Sequence, residues 1–204
     1  MNPKQNAARG KEISEIVIAA LLLALVLRTF VIHAFKIPSG SMLPSLQIGD
    51  QILVSKFSYG IKLPFIMKTL IPIGVPERGD VVVFVYPQDR SKDYVKRVIG
   101  VSGDTIEIRN KQLFLNGRLC KDPYAKHYDP LIIPGSMHSR DNFGPITIPA
   151  GSIFVMGDNR DYSNDSRFWG TVDVQDVIGK ALIVFFSWDS DRHAIRWNRI
   201  GKTI

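Results

Sequence analysis

Two residues of this chain have types and settings suited to acyl-transfer chemistry: Ser41, in the run IPSGSM, and Lys96, in the run YVKRVIG. Pro38 and Gly40 favour a turn around Ser41, and a serine on a sharp turn exposes its Oγ and turns its backbone N–H outward. Taken alone, this composition is that of an ordinary turn. A serine nucleophile also needs a base, so the interpretation depends on whether the chain supplies one.

Lys96 is the candidate base. A lysine has a pKa of about 10.4 in water and is protonated near neutrality, but burial lowers this pKa by several units. Lys96 lies between Val95 and Val98 in a strand-like run, where its side chain can point inward. An isolated strand lysine is ordinarily solvated, so Lys96 is singled out by the motifs around it. None of the four histidines has a comparable setting: His33, His127, His138 and His193.

The run GDNRDYSNDSRFWG, residues 157–170, is the most specific stretch of the sequence. It could be a plain turn, and its aspartates invite comparison with calcium-binding loops. However, Arg160 and Arg167 interrupt it, and the Gly and closing Glu of an EF-hand loop are absent. A network of Asp–Arg pairs that fixes this loop against the site explains the composition better, and no metal or other cofactor is expected.

The charge and cysteine content exclude some classes of protein. The chain has 204 residues and a formal net charge of +7, but Lys and Arg are scattered, so no nucleic-acid partner is expected. Contact with anionic lipid or, preferably, a solvated strand face would explain the densest basic cluster, which comprises Arg192, Arg196, Arg199 and Lys202. Cys120 is the only cysteine, so no intramolecular disulfide can form, and we interpret it as structural.

The elements that position these residues begin with a membrane-length apolar run. Residues 16–35 are apolar apart from a few positions near the C-terminal end, and about 20 residues suffice for a helix to cross the hydrocarbon core. A cleavable secretory signal is the alternative, but no A-x-A-like site follows the run. We therefore predict an uncleaved anchor at 16–35. The positive-inside rule places residues 1–15 in the cytoplasm, because they contain Lys4, Arg9 and Lys11.

The remainder, residues 36–204, is predicted to be mostly β and antiparallel, as a sandwich or partly open barrel. Asn116-Gly117 is a strong hairpin signal. Short runs rich in Val and Ile, bounded by Gly, Pro or Asp, are predicted as strands at 51–56, 80–86, 94–100, 104–109, 152–157 and 178–186.

Two segments interrupt this strand pattern. Phe57 to Pro76 is apolar but broken by Pro and Gly, so we expect either a buried loop or a segment at the bilayer interface. A small insertion is predicted at about residues 105–150, and its later part, 121–151, is rich in Pro, His and Asp.

Several ordered motifs make the chain resemble the bacterial type I signal peptidases. The matching runs are IPSGSMLPSL (37–46), GDQILVSKFSYG (49–60), RGDVVVF (78–84), DYVKRVIGVSGD (93–104) and GDNRDYSNDSRFWG (157–170). They follow the family's order and cover most of the chain between the apolar run and residue 180, apart from the insertion. The resemblance implies an antiparallel β-rich catalytic domain in two parts. Some members of the family carry two transmembrane helices, whereas this sequence predicts a single one in front of that domain.

The resemblance also implies a role for each matching residue. Ser41 would be the nucleophile and Lys96 the general base, Ser39 would supply a hydroxyl to the oxyanion hole, and Ser163 would hydrogen-bond and orient the lysine. The pairs Arg97–Asp158 and Asp165–Arg167 would support the site. The substrate-binding positions would be Phe35, Ile37, Pro38, Met42, Leu46, Tyr94 and Val95.

The activity implied is the removal of signal peptides from exported preproteins after A-x-A, by an enzyme in the bacterial cytoplasmic membrane whose catalytic domain is extracytoplasmic. The expected partners are preproteins and the lipid bilayer. Two alternatives remain: a Ser/Lys autoprotease resembling the SOS-response repressors, and a catalytically silent, membrane-tethered β domain that binds partners. The apolar run argues against the first, and the combination of Ser41, Lys96 and Ser163 argues against the second.

Overall fold

The computed structural model describes residues 12–13, 15–21, 32–62 and 69–204. Residues 12–13 and 15–21 are helical. The other helical elements of this part of the chain are an α-helix at Ser166–Trp169 and 3-10 turns at Gly40–Met42, Val174–Asp176 and Trp197–Arg199. The strands are β1 (Ile32–Lys36), β2 (Asp50–Ser55), β3 (Ile61–Lys62), β4 (Thr69–Ile71), β5 (Val81–Val85), β6 (Asp93–Val101), β7 (Thr105–Arg109), β8 (Gln112–Leu115), β9 (Arg118–Leu119), β10 (Phe143–Thr147), β11 (Ser152–Met156), β12 (Val172–Asp173), β13 (Val177–Asp189) and β14 (Ala194–Ile195).

The strands form antiparallel sheets, which confirms the predicted mostly β class. The largest sheet has the order β1-β2-β13-β5-β6-β11-β12, and β14 pairs with β13. A second sheet has the order β10-β7-β8-β9, and β3 pairs with β4. Every pairing between these strands is antiparallel.

The Val- and Ile-rich runs become β2, β5, β6, β7, β11 and β13, with ends within a few residues of those predicted. The predicted hairpin also forms, because Asn116 and Gly117 join β8 to β9 with φ values of 54° and 77°. Two successive residues with positive φ make the type of turn that matches the twist of a hairpin.

Three clusters of buried side chains hold the sheets together. The first lies beneath the segment that carries Ser41 and includes Met42, Leu46 and Ile52. The third contains side chains from both sheets, such as Phe154 of β11 and Ile106 of β7. The predicted insertion therefore packs its own sheet onto the large one through a shared core. Cys120 lies at the edge of this third cluster.

Two strand edges face the position of Ser41. Strand β1 pairs with β2 from Ile32 to Lys36. Strand β6 pairs with β5 along residues 93–97, but its pairing with β11 begins only at Arg97. Within the described strands, the first four residues of β6 therefore have a neighbour on one side only, and so does β1.

The predicted membrane anchor falls largely on residues that lie outside the described ones, 22–31. Among the described helices, none has the length and apolar character required to span a membrane. The last four positions of the predicted span, 32–35, belong to β1 instead of a helix, because their backbone pairs with β2. The anchor itself stays a prediction.

The apolar segment 57–76 exposes several of its described side chains, although Tyr59 is buried in the second core cluster. The pairing of β3 with β4 gives it a short ribbon, while residues 63–68 lie outside the described part. The exposed fractions are 44% for Phe57, 55% for Ile71, 57% for Ile73 and 68% for Val75. These four side chains do not fit the alternative of an ordinary buried loop.

The basic C-terminal cluster is not uniformly solvated. Arg199 is buried, and its guanidinium lies 2.6 Å from the carboxylate of Asp50, which also accepts a hydrogen bond from Ser187. The preferred interpretation of this cluster as a solvated strand face is therefore wrong for Arg199. This side chain instead ties the last 3-10 turn to the start of β2.

Candidate active site

The backbone around Ser41 forms a tight turn, and the first cluster of buried side chains holds this turn in place. Ser39 is extended, with φ of −134° and ψ of 160°, and the 3-10 turn Gly40–Met42 follows at once. Met42 is buried in the first cluster and anchors the turn. Because the first N–H groups of a helical turn have no acceptor within it, the amide of Ser41 is available to a ligand.

The loop that begins at Gly157 holds this turn from the other side. The backbone N–H of Asn159 donates to the carbonyl oxygen of Ser41 at 3.1 Å, and its Nδ2 donates to that of Gly40 at 3.2 Å. A Cβ built on Gly157 would lie 2.3 Å from the Ser41 carbonyl oxygen. The two segments therefore approach so closely that residue 157 must be glycine.

Lys96 reaches the serine from the first part of β6, which pairs with β5 but not with β11. Its Nζ lies 2.8 Å from Ser41 Oγ and 3.1 Å from the carbonyl oxygen of Val95. The lysine is only 4% exposed, and burial lowers its pKa to about 8, although the carboxylates of Asp165 and Asp158 oppose that shift. With a pKa of about 8, Lys96 loses its proton just above neutral pH, which allows it to act as a general base there.

The two other predicted hydroxyls differ in placement. Ser39 Oγ lies 3.5 Å from Ser41 Oγ and shares the exposed side of the turn. The predicted hydrogen bond from Ser163 to Lys96 does not form in this structure, because the Ser163 hydroxyl is buried without a partner and packs against Gly157. In this conformation, Lys96 Nζ is instead oriented by Ser41 and Val95.

Both predicted supporting ion pairs are present as contacts. Arg97 and Asp158 form a buried bidentate pair, with Nε–Oδ1 and Nη2–Oδ2 distances of 2.8 and 2.7 Å. Arg167 pairs with Asp165 at 2.8 and 2.9 Å, and Asp165 also accepts the backbone N–H of Gly157. The first pair fixes β6 beside Lys96, and the second fixes the start of the 157–170 loop.

A cleft of about 510 Å³ runs from the end of β1 past Ser41 to the start of β6. Of the seven predicted substrate-binding residues, six line it, namely Phe35, Ile37, Pro38, Met42, Tyr94 and Val95. Leu46 does not, because it is fully buried in the first cluster.

The cleft also contains residues that the sequence prediction missed, namely Lys36, Asp93, Asn159, Tyr162 and Asn164. Asn159, Tyr162 and Asn164 belong to the 157–170 run that was singled out, but that pattern did not indicate which of its polar side chains line the cleft.

Among the described residues, Lys96 is the titratable side chain that hydrogen-bonds to Ser41 Oγ. The hydrogen-bond partners of Ser41 Oγ in this part of the chain are Lys96 and Ser39, while His127 lies near Asp161. No group of His, Cys, Asp and Glu side chains among the described residues could hold a metal ion.

A mostly β fold with a buried lysine beside an accessible serine is the arrangement of a serine hydrolase that works without histidine. Residues 10–188 match the family of signal peptidases, peptidase S26. The chain belongs to this family, and it is accordingly a serine peptidase.

Two signal peptidases from Pseudomonas support the assignment. Signal peptidase I of Pseudomonas fluorescens is 39% identical over 213 residues, which cover 89% of this chain and 75% of that protein. Signal peptidase I of Pseudomonas aeruginosa is 40% identical over 217 residues with the same coverage. The crystal structure of a signal peptidase I from Enterococcus faecalis V583 has 30% identity and a TM-score of 0.42, covering 53% of this chain and 97% of that one.

Proposed function

We propose that this protein is a membrane-bound endopeptidase that removes signal peptides from exported preproteins by a Ser41/Lys96 mechanism. The observation that carries the proposal is the 2.8 Å approach of Lys96 Nζ to Ser41 Oγ in a site where burial lowers the lysine pKa to about 8. The family membership and the names of the relatives supply the substrate class.

The reaction proceeds through an acyl-enzyme. Neutral Lys96 accepts the Ser41 hydroxyl proton while Oγ attacks the scissile carbonyl, and the resulting oxyanion is stabilised by the Ser41 N–H and the Ser39 hydroxyl. Protonated Lys96 then donates its proton to the leaving amine. In the second half, Lys96 accepts a proton from the water that attacks the ester carbonyl, and it returns this proton to Oγ as the ester bond breaks and Ser41 is freed.

The substrate is an extended peptide that binds between the two free strand edges. Backbone groups of β1 and of residues 93–96 can pair with an added strand, a common mode of peptide recognition. Phe35, Ile37, Met42 and Val95 line the cleft beside Ser41 with apolar side chains, which suit an apolar residue such as alanine near the scissile bond. This supports specificity for A-x-A.

The substrate and the site meet at a bilayer surface. The predicted anchor covers 16–35, of which 32–35 form β1, so Ser41 follows position 31 by ten residues. Ten residues span at most about 35 Å, which limits the distance of the site from the membrane. The exposed side chains of Phe57, Ile71 and Val75 are compatible with contact with lipid. We place the enzyme in the bacterial cytoplasmic membrane with an extracytoplasmic catalytic domain and a cytoplasmic N-terminus, and assign it no nucleic-acid partner.

The test is cleavage of a preprotein with an A-x-A site by detergent-solubilised enzyme, comparing wild type with Ser41→Ala. Ser45→Ala is a matched control, because it removes a hydroxyl from the same segment without touching Oγ of residue 41. We expect cutting after A-x-A by wild type and Ser45→Ala alone. Equal cutting by Ser41→Ala would place the nucleophile elsewhere.

The same experiment separates the alternatives. A Ser/Lys autoprotease would cut its own chain, which mass spectrometry of the enzyme detects, and would leave the preprotein intact. A catalytically silent binding domain would cut neither, while keeping a cooperative thermal transition.

A further inference from the structure

We infer that Asn159 is a positioning residue that aims the Ser41 N–H at the place where the oxyanion develops. The inference rests on the proposed function of Ser41 as the nucleophile and assigns to Asn159 a role that its position in the sequence does not reveal. Asn159 itself does not hydrogen-bond to Oγ of Ser41 in the structure, and it acts through the backbone of the turn.

The geometry follows from the planarity of the peptide unit. The carbonyl oxygen of Gly40 and the N–H of Ser41 belong to one trans peptide and point in opposite directions. That oxygen accepts two hydrogen bonds, from the Leu43 N–H of the turn at 3.1 Å and from Asn159 Nδ2 at 3.2 Å, and together they fix the direction of the N–H on the other side. The backbone N–H of Asn159 holds the next carbonyl, that of Ser41, at 3.1 Å. One residue thereby fixes two successive peptide units of the turn.

The Asn159 side chain bonds to the Gly40 carbonyl through Nδ2, and its Oδ1 is left without a hydrogen bond. A carbonyl oxygen can only accept, so the atom facing Gly40 must be the NH₂ group. Oδ1 is then left buried without a hydrogen-bond partner. Buried polar atoms are ordinarily paired, and an exception in a native fold calls for a reason. Here the reason is that Asn159 supports the Gly40–Ser41 peptide, whose N–H is the oxyanion donor.

Asn159 is itself held rigidly. Lys126 runs beside it as an isolated bridge, donating to the carbonyl of Asp158 and accepting from the N–H of Arg160 at 2.8 and 2.9 Å. Asp158 is fixed by its buried pair with Arg97. A hydrogen bond to the Gly40 carbonyl also polarises the peptide, which strengthens the Ser41 N–H as a donor.

The test compares Asn159→Ala and Asn159→Leu with wild type, using solubilised full-length enzyme and a preprotein substrate. Leu keeps a branched side chain of similar size, so it retains the packing while removing the donor. Asn142→Ala is the matched control: its Nδ2 also donates to a backbone carbonyl, that of Ile133 at 2.9 Å, but in the second sheet region. We expect kcat to fall about ten- to a hundredfold in both Asn159 variants with KM changed less than twofold, and no loss in the control.

Two inhibitors distinguish positioning from mere structural support. A peptide aldehyde ending in Ala forms a tetrahedral hemiacetal with Ser41 Oγ and uses the oxyanion donor, whereas the product peptide with a carboxyl terminus binds without forming a bond to the enzyme. Inhibition by the aldehyde should weaken by the same factor as kcat, and binding of the product peptide should stay unchanged.

Two results would overturn the inference while leaving the proposed function intact: full activity in both Asn159 variants, or equal weakening of both inhibitors. Activity retained by Ser41→Ala would instead reject the proposed function. If Asn159→Ala does not show a cooperative thermal transition, it is not folded, and the comparison of kcat and of the two inhibitors is made with Asn159→Leu alone.

Discussion

Ser41 and Lys96 are 55 positions apart in the chain, and their Oγ and Nζ atoms lie 2.8 Å apart at the base of a cleft. Lys96 lies in the first part of β6, which pairs with β5 but not with β11, and its side chain reaches the serine from there. The same placement buries it. This burial is also what lowers the pKa of Lys96.

The first prediction concerns the pH dependence of activity. Because burial lowers the pKa of Lys96 to about 8, kcat/KM should rise from pH 6 to 9 with an apparent pKa near that value. Initial rates of preprotein cleavage in a constant-ionic-strength buffer series measure this. Activity that declines steadily over the same range would contradict a lysine base.

The second prediction is that Lys96→Met stabilises the fold at low pH. The pKa of Lys96 is lowered from 10.5 when unfolded to about 8 when folded, so the folded protein binds this proton less readily than the unfolded chain. The charged lysine therefore costs stability fully below pH 8, and the cost disappears as the pH rises towards 10.5. At about 1.36 kcal/mol per unit, the cost is about 3 kcal/mol.

Urea unfolding of Lys96→Met, wild type and the exposed control Lys121→Met at pH 6, 8 and 10 measures this effect. The gain in the free energy of unfolding should be largest at pH 6 and shrink by pH 10 for Lys96→Met alone. A gain that is the same at all three values would show that packing, and not charge burial, separates the variants.

Most of the strands could be predicted from the sequence, because local composition determines them. β2, β5 and β13 are rich in Val and Ile and bear side chains that the core buries, so the strand preference and the buried surface agree. The turn between β8 and β9 was predictable for the same reason, since Asn116-Gly117 is suited to positive φ.

The misses concern contacts between segments far apart in the chain. Leu46 matched a pocket position by motif, but its side chain turns into the first cluster. Arg199 was predicted on a solvated strand face, but it forms an ion pair with the buried carboxylate of Asp50. Asn159 was in a motif already singled out, and only the fold brings it to Gly40. Local pattern carries no information on which distant group a polar side chain reaches.

The third prediction concerns the buried pair Arg97–Asp158. Asp158→Asn leaves the Arg97 guanidinium buried without a counter-charge, and breaking such a pair costs about 3–5 kcal/mol. Asp176→Asn is the matched control, because Arg90, its partner, has a side chain that is 59% exposed. The free energy of unfolding from urea titration in detergent should drop sharply for the first variant and stay near wild type for the second. Similar values for the two would mean that water or another group compensates Arg97.

The fourth prediction is that Gly157→Ala disables the site more than it destabilises the fold. The new Cβ would lie 2.3 Å from both the Ser41 carbonyl oxygen and the Ser163 hydroxyl, so the turn or the loop must move. A shift of about 1 Å at a reacting group costs about a hundredfold in rate. We therefore expect kcat/KM to fall by about two orders of magnitude.

Gly151→Ala is the matched control for this substitution. Gly151 has a φ of +75° and open space where a Cβ would stand, so alanine there carries the backbone strain of the left-handed region without any clash. Its Tm should fall while kcat/KM stays near wild type. If Gly157→Ala instead retained its activity and lost only stability, the close approach of residues 157 and 41 would be a packing feature that the reaction does not use.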